Sequence, residues 1–213
     1  LPGSGRGMFI LGLTGSIGMG KTTAANDFRR LGVPVYDADA AVHDLLKPGG
    51  AGVEPVGELF PKVIVDGGVD RAALGRAVFG DDEALGRLEA ILHPMVRARQ
   101  NQFLWIARLR RAPLVVLDVP LLFETGGDRN CDAVAVVTAP AFLQRIRVLK
   151  RPGMTAEKLD GILARQMPDM EKRRRADFII HTGLGHAFSL RYIRHIIDVT
   201  TTLETAGEAN DHA

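Results

Sequence analysis

The sequence predicts an α/β fold: a parallel five-stranded sheet flanked by helices, with a helical insertion and a helical lid. Three observations predict it. Short apolar runs at residues 9–13, 33–36, 114–118, 133–137 and 176–180 have the length of sheet strands. Segments between them carry the apolar period of helices. The first run also passes through a glycine-rich turn, Gly15-Ser16-Ile17-Gly18-Met19-Gly20-Lys21-Thr22, straight into such a helix.

That turn has the G-x-x-x-x-G-K-[ST] spacing of a phosphate-binding P-loop. Glycines at positions 15, 18 and 20 let successive N–H groups point inward at phosphate oxygens. Lys21 places a compact positive charge at the β/γ-phosphates, and the Thr22 hydroxyl is a ligand for Mg²⁺. Ala24, Phe28 and Leu31 give the following helix its inner face, so phosphates meet a helix N-terminus where dipole and orphan N–H groups favour anions. The fold is therefore expected to be of P-loop NTPase type, binding ATP. Residues 1–7 read as an added extension before Met8 and are set aside; residues 8–39 form the first part of the nucleotide-binding core.

Gly32 is a helix stop, and Val33-Pro34-Val35-Tyr36 a second strand ending in Asp37-Ala38-Asp39. Carboxylates at the end of such a strand lie where open α/β sheets bind ligands, although either aspartate also suits the N-cap of the next helix. Residues 40–111 show helical stripes (Leu85, Leu88, Ile91 and Leu92, then Val96, Phe103, Leu104 and Ala107) and no convincing strand. Pro48-Gly49-Gly50 and Asp66-Gly67-Gly68 are turns, and His93-Pro94 is expected to separate two helices, with Pro94 in the first turn of the second. An insertion of this length is expected to be a helical subdomain.

Core resumes at 112–140. Leu114-Val115-Val116-Leu117-Asp118 is a buried parallel strand with a Walker-B-like aspartate, continuing as Val119-Pro120-Leu121-Leu122-Phe123-Glu124. Ala133–Val137 is the fourth strand. Residues 141–172 form the lid, whose first helix bears Arg145, Arg147, Lys150 and Arg151, with Arg147 and Arg151 on one face. Such cations over a triphosphate suit phosphoryl transfer. Residues 173–203 close the core with a fifth strand, Ala176–Ile180, and an amphipathic helix; 204–213 read as a flexible polar tail.

Composition limits the function. Basic and acidic residues number 27 and 25, a net charge of +2, too balanced for a general nucleic-acid binder. Aromatics at 6% leave few stacking platforms for single strands, and no Asn-Lys-x-Asp segment is present to read guanine. The lone Cys131 excludes an internal disulfide and a Cys-based zinc cluster; a small buried apolar role and a reducing cytoplasm are expected. No span is apolar enough for a membrane helix, and residues 8–13 are too short for a signal-peptide core. Nothing implies an obligate protein partner.

Taken in order, these residues resemble the dephospho-coenzyme A kinases. The matching pieces are Gly12 to Thr23, Asp37-Ala38-Asp39, Leu92-His93-Pro94, Pro120-Leu121-Leu122-Phe123-Glu124, Gln144-Arg145 through Arg151, Gln166 and Ala176-Asp177. The likeness spans residues 8 to 200, and the ordered combination is its specific part. Thr22 stands where the family usually has Ser, and His181-Thr182-Gly183 replaces a usual Asn-x-Gly.

The resemblance implies transfer of the ATP γ-phosphoryl group to the ribose 3′-hydroxyl of dephospho-CoA. By likeness, Asp39 is the base, Arg145 and Arg151 are lid cations, and 40–111 is the acceptor-binding subdomain. Lys21 joins the catalytic set. Gly15, Ser16, Ile17, Gly18, Met19, Gly20, Lys21, Thr22 and Thr23 hold the nucleotide. Asp37, His93, Arg97 and Leu121 are placed on the acceptor, and Thr22 and Asp118 on Mg²⁺, with Asp37 and Asp118 both open to metal work. Another small-molecule P-loop kinase is the alternative reading; a nucleotide-dependent switch or nucleic-acid ATPase is the more distant one.

Overall fold

The structure, a computed structural model, describes residues 7–210, with side chains described through residue 202. The predicted extension lies outside these residues except for Gly7, as do residues 211–213 of the predicted tail.

One compact unit comprises residues up to Tyr36 together with those from Ile106 onward. Its sheet has the order β2-β5-β1-β6-β7, with β1 (Phe9–Thr14) central, between β5 (Leu114–Asp118) and β6 (Ala133–Thr138). β2 (Val35–Asp37) and β7 (Phe178–His181) are the edges. The pairs β1–β5, β1–β6 and β6–β7 are parallel. Every residue of β5 is buried, which is why its sequence is a continuous apolar run rather than an alternating one. α1 (Lys21–Arg30) and α9 (His186–Asn210) cover the sheet, with Ala24, Ala25, Phe28, Ile193 and Ile196 packed on Leu11, Leu13, Val116, Val137 and Ile180. α6 (Ala141–Leu149), α7 (Ala156–Arg165) and α8 (Asp169–Arg175) lie between β6 and β7 in the chain.

The second unit, Asp37–Trp105, has its own core of Leu46, Val56, Val63, Leu74 and Leu88. It holds α2 (Ala38–Leu46), α3 (Val53–Leu59), α4 (Arg71–Val78) and most of α5 (Asp82–Leu109). Asp70 caps α4 by accepting from the Ala72 and Ala73 amides, and Asp81 accepts from Ala84 at the start of α5.

Four expectations need correction. The insertion is not wholly helical: β3 (Ile64–Val65) and β4 (Gly68–Val69) form an antiparallel pair around Asp66-Gly67. His93-Pro94 does not separate two helices, because α5 runs unbroken with Pro94 inside it. Pro94 removes one i→i−4 bond there, and the packing of Leu88, Ile91 and Leu92 on the unit's core outweighs that loss. Arg151 does not share a helical face with Arg147, since α6 ends at Leu149. The backbone of α9 continues to Asn210, past residue 204 where a polar tail is expected.

Candidate active site

Parallel strands end on one edge of a sheet, and in open α/β folds that carboxyl edge is where ligands bind. β1, β5, β6 and β7 end there in Thr14, Asp118, Thr138 and His181. The P-loop leaves β1 at Thr14 and turns into α1 at Lys21. Gly18 and Gly20 have φ of 76° and 94°, a left-handed backbone that favours glycine. The loop is walled in as well. A Cβ on Gly18 would strike the side chain of Val148, and one on Gly20 would meet Thr182 at 3.0–3.2 Å. At the start of α1 the Thr23 and Ala24 N–H groups both donate to Gly20 O, at 3.1 and 3.2 Å, so the N–H groups that the helix N-terminus offers to an anion are those ahead of them, of Lys21 and Thr22.

Lys21 Nζ lies 2.5 Å from Asp118 Oδ1. The pair is well enclosed, with side chains 15% and 3% exposed. The P-loop cation and the Walker-B-like carboxylate thus share one place at the strand edge. Thr22 and Thr23 are exposed in the first turn of α1, while Ser16 and Met19 are buried.

Residues from far along the chain grip this loop. Gln144 Nε2 donates to Ile17 O at 2.8 Å, and Ile17 N–H donates to Gln166 Oε1 at 3.1 Å. The Thr182 hydroxyl donates to Met19 O at 2.6 Å. Arg147 reaches Gly18 O at 3.5 Å and spans Thr182, giving Nη1 to its hydroxyl and Nη2 to its carbonyl, each at 3.0 Å. Arg147 is expected among the lid cations over the triphosphate, and Thr182 within the segment His181-Thr182-Gly183 after the last strand; the structure sets both against the carbonyls of the loop, a contact between distant parts of the chain that neither residue type signals.

The segment after β5 is anchored from beneath. Lys172 of α8 is fully buried, its Nζ 2.9 Å from Glu124 Oε1 and 3.3 Å from Pro120 O. Glu124 Oε1 also accepts the Met167 amide at 2.8 Å, and the Thr14 hydroxyl donates to Pro120 O at 3.0 Å. Burial pushes the Glu124 carboxyl up, but its bonds from Lys172 and the Met167 amide outweigh that and hold it below its ordinary value. Lys172 heads the basic run Lys172–Arg175, and it is interior while Arg173, Arg174 and Arg175 are exposed.

Of the remaining predicted residues, Asp37 is the N-cap of α2, accepting from the Ala40 amide at 2.9 Å, while Asp39 is exposed in its first turn. His93 and Arg97 are exposed one turn apart on α5, so they share a face. Leu121 is 40% exposed although Leu122 beside it is buried. Arg145 pairs with Asp160 of α7 at 3.3 Å, both ends open to solvent, and Arg151 is exposed in the turn after α6.

A P-loop and an acid at a strand end are shared by many kinases, so the comparison with known proteins decides the family. The family model for dephospho-CoA kinase matches residues 9–185. The chain belongs to the dephospho-CoA kinase family. It is therefore a kinase, and the family's reaction is the last step of coenzyme A synthesis. A dephospho-CoA kinase of Paramagnetospirillum magneticum is 64% identical over 166 residues, 78% of each chain. One from Rhodopseudomonas palustris is 53% identical over 196 residues, covering 92% of this chain and 98% of that one. Among solved structures, a Thermus thermophilus protein superposes with a TM-score of 0.77 at 37% identity, covering 90% of this chain and 96% of that one. The dephospho-CoA kinase of Campylobacter jejuni gives a TM-score of 0.61 at 25% identity, with coverage of 91% and 97%. The family match ends two residues beyond Gly183, so it includes the clamp on the loop as well as the loop itself.

Proposed function

We propose that the chain transfers the γ-phosphoryl group of ATP to the ribose 3′-hydroxyl of dephospho-CoA, releasing coenzyme A and ADP. The observation that carries this reading is the Gly15–Thr22 loop between β1 and α1, with Lys21 and Asp118 enclosed beside it, in a chain of this family. Lys21 neutralises charge on the transferring group, leaving Asp118 as the phosphates take its place. Residues 15–23 hold the nucleotide through backbone amides and the Thr22 hydroxyl.

Mg²⁺ suits the hard oxygen donors of Thr22 and Asp118. No group of three or more His, Cys, Asp or Glu side chains able to hold a metal occurs among the described residues. Mg²⁺ at a nucleotide site is bound largely by phosphates and water, with one or two protein ligands. The ion supplies charge neutralisation at the phosphates when bound.

A ribose hydroxyl is a weak nucleophile, and a carboxylate within hydrogen-bond reach orients it and takes its proton. Asp39 has that role here: Asp37 already serves as the cap, which leaves Asp39 exposed for chemistry. Asp37 is accordingly assigned to the acceptor side through its place at the end of β2 rather than to the metal. Residues 40–111 are read as the acceptor subdomain, with His93 and Arg97 offering one polar, cationic helix face to the diphosphate and Leu121 an apolar contact. Residues 141–172 are read as the lid, delivering Arg145 and Arg151. A cytoplasmic place accords with a small-molecule kinase holding one enclosed thiol.

The test is an ADP-release assay with dephospho-CoA, AMP, CMP, shikimate and no acceptor. Release above the acceptor-free rate with dephospho-CoA alone is expected. Faster turnover of a nucleoside monophosphate or shikimate would assign a different acceptor.

A further inference from the structure

A loop that points its N–H groups at an anion turns its carbonyls the other way, because alternating right- and left-handed residues place the two sets on opposite sides. Those carbonyls need donors when they are buried. In this chain the donors for the middle of the loop are side chains: Gln144 for Ile17 O, Arg147 for Gly18 O and the Thr182 hydroxyl for Met19 O. The last is the shortest at 2.6 Å. It is also the one Arg147 reinforces, since the guanidinium donates to the same hydroxyl oxygen and thereby strengthens it as a donor. Arg147 therefore acts on the loop mainly through Thr182, as its own reach to Gly18 O is 3.5 Å.

We propose that Thr182, held by Arg147, is a positioning residue for the nucleotide, fixing the outward carbonyl of Met19 so that the neighbouring amides face the phosphates. The proposal rests on the reading of Gly15–Thr22 as the nucleotide loop and assigns neither residue to the reacting atoms. It also separates two arginines of the lid: Arg147 supports the loop from behind, whereas Arg145 is engaged with Asp160 on the solvent side.

The experiment uses the full chain and two exchanges of nearly equal size. Thr182→Val keeps the shape and removes the hydroxyl; Thr182→Ser keeps the hydroxyl and removes a methyl. MgATP is titrated by calorimetry without acceptor, and KM values for ATP and dephospho-CoA are taken separately. Thr182→Val is expected to weaken ATP binding about tenfold, the upper end of what one neutral hydrogen bond contributes, at about 1.4 kcal/mol per decade. Thr182→Ser restores affinity to within about threefold, and the KM for dephospho-CoA stays put. Arg147→Met should weaken ATP in the same sense and add little on top of Thr182→Val, since both act through one hydroxyl. Wild-type ATP affinity in Thr182→Val would overturn the proposal. So would equal weakening by Val and Ser, or a parallel rise in the KM for dephospho-CoA. If the unaltered chain fails to bind MgATP, the nucleotide reading itself falls, which the first titration shows before any variant is made.

Discussion

Exchange of Glu124 for Gln probes the charge buried under the segment after β5. Glu124 Oε1 receives both the Lys172 ammonium at 2.9 Å and the Met167 amide at 2.8 Å, while Oε2 is buried with no partner. Gln has the same shape, and its amide oxygen can accept both donors. The hydrogen bonds thus survive and the negative charge does not. Lys172 is 0% exposed and Glu124 17%, so the ammonium loses its counter-charge where water cannot replace it. Breaking a buried pair on one side costs about 3–5 kcal/mol, and we expect the lower end, about 3 kcal/mol, because Lys172 keeps Pro120 O as an acceptor. For a chain of this length that corresponds to a fall in Tm of about 6–12 °C.

The pH dependence supplies a second, independent reading. The folded carboxyl lies below its ordinary value of 4.5. A group with a lowered folded pKa stabilises the fold above its unfolded pKa, and that contribution is lost as pH falls through the folded value. Circular-dichroism melts of wild type and Glu124→Gln should therefore differ by a constant amount from pH 8 to pH 5 and converge in more acid solution. The double exchange Glu124→Gln with Lys172→Met should melt higher than Glu124→Gln alone, since it removes the stranded charge. A Tm within 2 °C of wild type at pH 7, or a gap that acid leaves unchanged, would refute the assignment of Lys172 as a charge balanced by Glu124.

Two further outcomes are expected. Asp39→Asn should leave the Tm unchanged, because Asp37 rather than Asp39 caps α2, while kcat for dephospho-CoA falls at least about tenfold; steady-state assays and melts on one preparation check both. Burial, aided by Asp132 and Asp128, pushes the Cys131 thiol up to about 12, so the folded protein should react with a disulfide reagent at pH 8 at least about 10³-fold more slowly than free cysteine, returning to the free rate in denaturant.

How much of this could be read from the sequence depended on how far apart in the chain the cooperating atoms lie. The P-loop is legible because a phosphate cradle is made of consecutive backbone amides, so glycine spacing alone records it. β5 is legible because a strand covered on both faces must be apolar at every position. The Thr182 hydroxyl and Met19 O are 163 residues apart, and neither residue type announces the contact. β3 and β4 have two residues each, too few for alternation to be visible. Pro94 misleads for a different reason: the local rule against proline in helices is sound, and here the packed face of α5 overrides it.

The same distance argument bears on why the loop is held from outside. Glycine at 18 and 20 permits the left-handed turns, yet it also enlarges the set of conformations available to an unbound loop. Apparent affinity falls in proportion to the fraction of loops in the binding-competent shape. A loop cannot reduce that freedom with its own side chains when its backbone must stay bare for the phosphates. Restraint has to come from residues behind it, acting on carbonyls the ligand does not use. A tenfold loss in Thr182→Val would mean that one hydroxyl raises the competent fraction about tenfold, with the remaining restraint left to Gln144, Gln166 and the walls that Val148 and Thr182 present to Gly18 and Gly20.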